Sequence, residues 1–121
     1  MRRSGRVVVN TIPIPKAFIW ITALPAINAD WLLVDITPSN TPCVFRVQVA
    51  VSIVGSFSVK ITRNAVSQTF MLNSAIGDLT AGGLYAFDIN IDSGDLVNFI
   101  YSATGGTIWM LRVREIDTAV A

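Results

Sequence analysis

The stretch Val44-Phe45-Arg46-Val47-Gln48-Val49-Ala50-Val51-Ser52-Ile53 decides the fold class. Phe45, Val47, Val49, Val51 and Ile53 fall on one side of an extended chain, and Arg46, Gln48, Ala50 and Ser52 on the other. A period of two is the signature of a strand with one face buried and one face wet. Gly55-Ser56 follows as a turn, and Phe57, Val59 and Ile61 then alternate with Ser58, Lys60 and Thr62. The two runs are expected to pair as a hairpin.

The same period governs most of the remaining chain. Tyr85, Phe87, Ile89 and Ile91 alternate with Ala86, Asp88, Asn90 and Asp92, and the turn Asp92-Ser93-Gly94-Asp95 leads into Val97, Phe99 and Tyr101. Gly105-Gly106 is expected to close another hairpin into Trp109, Leu111 and Val113. Val7–Ile12, Phe18–Ala23, Trp31–Thr37 and Ala65–Leu72 read as further strands, and no stretch shows a helical period. Eight or nine short strands with regularly spaced turns predict an all-β, antiparallel β-sandwich. A jelly-roll-like order is preferred, because the paired cysteines and tryptophan of antibody domains are missing. Residues 1–16 read as a basic arm leading into the fold, and residues 17–121 as a single β-sandwich domain.

Composition narrows the function. Only 14% of the 121 residues are charged and 52% are hydrophobic, whereas an ordinary soluble domain carries roughly a quarter charged residues. Either Ser, Thr and Asn solvate the surface, or part of it packs on another subunit. The net charge of +1 gives no bulk attraction to nucleic acid or membrane. Val7–Val9 is interrupted by Asn10, Pro13 and Pro15, so no export signal is expected, and a soluble protein is read. Cys43, the single cysteine, heads an apolar run and reads as a buried structural thiol.

Some segments are apolar on both faces. Phe18 and Trp20 alternate with Ala17, Ile19 and Ile21; Trp31 and Leu33 with Leu32 and Val34; Trp109 and Leu111 with Ile108 and Met110. A two-layer sandwich has one interior, so the second face needs other cover. Trp20, Ile21, Trp31, Leu32, Val34, Ile108 and Met110 are the candidate subunit interface. Arg2, Arg3 and Arg6 are candidate arm contacts that clasp a neighbour; three arginines without interleaved aromatics are too small a footprint for nucleic acid.

The residues that support catalysis are sparse. No histidine occurs, which removes Ser-His and Cys-His pairs and the usual zinc sites. Asp30 with Asp35, and Glu115 with Asp117, read as solvated strand ends rather than a glycosidase pair. Asp88, Asn90, Asp92 and Asp95 present oxygens at alternate positions before and after a glycine, the one candidate metal set, but Ile89 and Ile91 between them read as strand core. No enzyme activity and no cofactor are expected. As an alternative, Trp20, Trp31, Tyr85, Tyr101 and Trp109 could stack on sugar rings in a carbohydrate-binding module, with Trp31 the most exposed.

The run from Leu79 through Gly82-Gly83, Tyr85–Asp95 and Phe99, followed by Leu111-Arg112-Val113-Arg114-Glu115-Ile116, resembles the closing half of viral jelly-roll structural proteins such as phage capsid-decoration proteins. The resemblance covers the last third of the chain and carries over no site residues. It implies a virion protein that forms symmetric homo-oligomers, a trimer favoured, with a capsid shell protein as a further partner.

Overall fold

A computed structural model describes residues 14–39 and 42–117. Among them are seven strands and no helix: β1 (Ile14–Ala23), β2 (Cys43–Val51), β3 (Phe57–Arg63), β4 (Val66–Met71), β5 (Tyr85–Ile91), β6 (Leu96–Tyr101) and β7 (Thr107–Asp117). They form two antiparallel sheets, one of four strands ordered β1-β7-β2-β5 and one of three ordered β4-β3-β6. The described residues are thus all-β, with the two-sheet architecture that the alternation predicts. β1 includes residues 14–16, which the sequence reading gave to the arm, and the expected strand Val7–Ile12 lies outside the described residues.

The alternation of β2 is realised directly. Phe45, Val47, Val49 and Val51 are buried, and register places Val47 between Phe87 of β5 and Val113 of β7. Phe57, Val59, Val97, Phe99 and Tyr101 form the buried layer of the other sheet. Burying one such side chain stabilises by about 1.5–3 kcal/mol, so this double layer is the main source of stability.

The expected hairpins are corrected by the topology. β2 and β3 lie in different sheets, as do β5 and β6, and β6 and β7. A four- or five-residue connection can either fold back in one sheet or cross the roughly 10 Å to the facing one, and turn residues suit both. Gly55 and Gly106 are there for close approach. A Cβ on Gly55 would lie 2.7 Å from the Tyr101 ring, and one on Gly106 2.6 Å from Ile53. The real hairpin is β3–β4. Its two-residue turn, Asn64-Ala65, has φ of 52° and 65°, the doubly left-handed geometry that matches strand twist.

Trp31–Thr37, expected as a strand, is irregular. The chain runs along the free edge of β6 through Asn28 N–H to Tyr101 O (3.0 Å), Trp31 N–H to Phe99 O (2.9 Å) and a reciprocal pair between Ile36 and Val97. Between these points Leu32–Asp35 bulges away, and the bulge is held by Asn98, which is 1% exposed. Its carboxamide accepts from Leu32 N–H (3.0 Å) and donates to Leu32 O (2.9 Å) and the Asp35 carboxylate (2.7 Å). Trp31 and Ile36 enter the core while Leu33 and Val34 face solvent. Replacing Asn98 by Leu keeps volume but strands these backbone groups, at about 2–3 kcal/mol. We expect Asn98→Leu to lower stability by that amount and to abolish amide-exchange protection at Trp31 and Ile36 before the strands lose theirs.

Candidate assembly face on β1 and β7

Among the described residues, β1 is the edge of the four-stranded sheet and pairs only with β7. Ala17 and Ile19 oppose Val113 and Leu111, which are buried. Phe18 and Trp20, opposite Arg112 and Met110, therefore point away from the core. Their rings stack with centroids 6.0 Å apart, and the Arg112 guanidinium lies 5.5 Å over the Phe18 ring. Gln48 and Ala50 of β2 continue the two rows.

A bulge extends this face. Met110 pairs with Ala50 and Ile108 with Val51, leaving Trp109 without an opposite residue on β2. The extra residue lets Trp109 and Met110 turn outward in succession while Ile108 returns to the interior. The Trp109 ring packs over Gly82, where a Cβ would sit 3.3 Å away. The β1 register leaves Ile21 beside Trp109. Ile21 has φ of 49°, a conformation that is an outlier for a β-branched side chain. Phe18, Trp20, Ile21 and Trp109 are 51%, 62%, 61% and 41% exposed.

Of the residues predicted for the interface, Trp20, Ile21 and Met110 meet on this face. Leu32 and Val34 lie on the irregular segment beside the other sheet. Trp31 and Ile108 are corrected: both are buried in the chain's own core, Trp31 against Phe57 at 5.1 Å and Tyr101 at 6.0 Å. Trp31 is accordingly not the exposed sugar platform that its place at a strand start suggested. Phe18 and Trp109 complete the face; the alternation named both, register sets the side of Phe18 and the bulge that of Trp109. Arg2, Arg3 and Arg6 lie outside the described residues.

The candidate metal residues do not converge. Asp88 takes a two-point contact from Arg46 (2.9 and 3.0 Å), and Asn90 lines a groove. Asp95, 2% exposed, accepts from Arg63 Nε (2.6 Å), its terminal nitrogen (2.9 Å) and Asp92 N–H (3.0 Å), and Arg63 also reaches Asp92. The oxygens thus serve two separate arginines, and no group of three metal-type ligands occurs among the described residues. Asp30 pairs with Lys60 (2.7 Å), and Glu115 contacts Lys16 (3.4 Å) and Ser39 N–H (2.8 Å). No described helix is long and apolar enough to cross a membrane.

The hydrogen bonds from Arg63 hold the Asp95 carboxyl below the usual carboxylate range, against the opposing cost of burial. A lowered acid contributes stability above its unfolded value of about 3.9 and loses it as pH falls through the folded value. Asp95→Asn is expected to cost about 1–2 kcal/mol at neutral pH. In denaturant titrations the gap from the parent chain should close below about pH 4. Comparison with protein-family models, curated proteins and solved structures finds no significant match.

Proposed function

We propose that this protein is a non-catalytic structural subunit that self-associates through the outward face of β1 and β7. The observation that carries the reading is the cluster of Phe18, Trp20, Ile21 and Trp109, exposed together on one sheet face. Leaving apolar surface wet costs about 25 cal/mol per Å², and contiguous exposed patches on soluble monomers are small unless they bind something. Aromatic anchors ringed by arginine are the composition of an interface centre. Arg112 over Phe18 and the Arg46–Asp88 pair supply the polar surround.

The finer architecture we read as a jelly roll. Connections β2–β3, β4–β5, β5–β6 and β6–β7 each change sheet, while β3–β4 stays within one. The irregular segment 28–36 takes the remaining place beside β6. This sequence of crossings supports an eight-position double Greek key, and agrees with the resemblance of residues 79–116 to viral jelly-roll proteins. On that reading the protein is a virion component of the capsid-decoration kind, a homotrimer seated on a shell protein, with Arg2, Arg3 and Arg6 as clasp.

Light scattering on the whole chain tests the reading. We expect the mass of a closed oligomer at micromolar concentration. Trp20→Glu, at an exposed position, should weaken association at least about 30-fold, the loss of one anchor of about 2 kcal/mol, with an unchanged circular dichroism spectrum. A strictly monomeric parent chain at that concentration overturns the proposal.

A further inference from the structure

The outer edge of β4 has no strand beside it among the described residues. We propose that β4 pairs antiparallel with β4 of a second copy about a two-fold axis at Gln68, continuing the three-stranded sheet from one molecule into the next. The inference goes beyond the β1–β7 reading and does not rest on it.

Edge strands of soluble proteins are normally protected by charge, proline, a bulge or a cover. β1 carries Pro15 and Lys16, β5 carries Asp88, and segment 28–36 lies along β6. β4, Val66-Ser67-Gln68-Thr69-Phe70-Met71, has no charge and no proline, and all six residues are exposed. Beside it opens a groove of about 340 Å³ between the two sheets, floored by Ile61, Val66 and Phe70 and edged by Gln68 and Asn90. Among the described residues the one cation lining the groove, Arg63, is already held by Asp95 and Asp92, so these residues bring no like-charge repulsion between two copies.

The occupant is argued from the strand's own symmetry. In a hairpin with a two-residue turn, the flanking pair, here Arg63 and Val66, exchanges the backbone hydrogen bonds. The peptide groups of Val66, Gln68 and Phe70 then face β3, and those of Ser67, Thr69 and Met71 face outward. A two-fold at Gln68 brings Ser67 opposite Thr69 of the second copy, so the outward groups meet. It also sets Phe70 against Val66, an aromatic–β-branched pair, and Ser67 against Thr69, a hydroxyl pair, both favourable across strands. Gln68 faces Gln68, and its carboxamide, which has no partner among the described residues, can donate and accept reciprocally. Moving the axis to Ser67 or Thr69 instead sets Gln68 against Val66 or Phe70. Only the central register matches every pair. In it the two grooves join and each covers the other's Val66 and Phe70.

Six residues of strand extend about 20 Å, which covers less than the roughly 800 Å² per partner of a free-standing dimer. The contact is therefore a weak one, of the size of transient encounters.

Cross-linking of the full chain tests it. Residues facing each other in a non-hydrogen-bonded antiparallel pair lie about 4.5 Å apart at Cα, within disulfide range. Cys43 is 2% exposed and does not compete. With copper-phenanthroline as oxidant, Gln68→Cys should form a disulfide-linked dimer at least tenfold faster than Val66→Cys or Ser74→Cys. Adding Thr69→Pro, which removes an outward N–H, should cut that rate tenfold; if it unfolds the hairpin, Thr69→Lys gives the same readout by charge repulsion. Equal rates at positions 68 and 74, or a rate indifferent to the change at Thr69, overturn the proposal. Repeating the measurement with Trp20→Glu separates edge pairing from the β1–β7 face.

Discussion

Phe57 is the point at which the molecule's layers are tied together. Its ring lies against Phe99 of the neighbouring strand at 5.4 Å, Phe87 of the facing sheet at 6.1 Å and Trp31 of the irregular segment at 5.1 Å. One side chain thus joins both sheets and pulls the chain between β1 and β2 onto the β6 edge. Aromatic contacts of this kind add about 0.5–1.5 kcal/mol each beyond area burial. Phe18 and Trp20 stay outside because register sets them on the face away from Leu111 and Val113, and Trp109 because of the bulge opposite Ala50 and Val51.

Faces were legible in the sequence; paths between strands were not. Alternation from Phe45 to Val51 reports which side chains are inward because the pleat imposes a strict period of two. It reports nothing about which strand lies alongside. Gly55-Ser56 and Gly105-Gly106 look like hairpin turns, yet their glycines allow backbone to pass Tyr101 and Ile53 as the chain changes sheet. The turn that does form a hairpin, Asn64-Ala65, has alanine where glycine is usual and offered a fainter signal. Trp31–Thr37 failed as a strand because Asn98 satisfies backbone groups that a partner strand would have used.

The candidate face was legible in part, for a related reason. Strands apolar on both sides leave some apolar side chains outside, and Trp20 and Ile21 are exposed in this way. The same pattern arises where a bulge changes parity, and Ile108-Trp109-Met110 is that case: the inner and outer members could not be sorted without knowing that Trp109 is the inserted residue. The acidic turn shows the limit of local spacing. Alternating oxygens resemble a cation loop, but Arg46 and Arg63 come from β2 and the end of β3, too distant in sequence for local spacing to reveal.

The β1 face and the β4 edge lie on opposite flanks of the sandwich. β1 ends one side of the four-stranded sheet and β5 ends the other, and the groove that borders β4 reaches Asn90 of β5. A partner bound at one flank therefore leaves the other open. The two contacts also differ in kind: an aromatic face can close a ring of subunits, whereas a strand edge about a two-fold joins just two molecules. Used together they connect closed oligomers into larger arrays, which a single contact of either kind does not. Surface covered on two flanks would also leave less to be solvated, which is what 14% charged residues provide for.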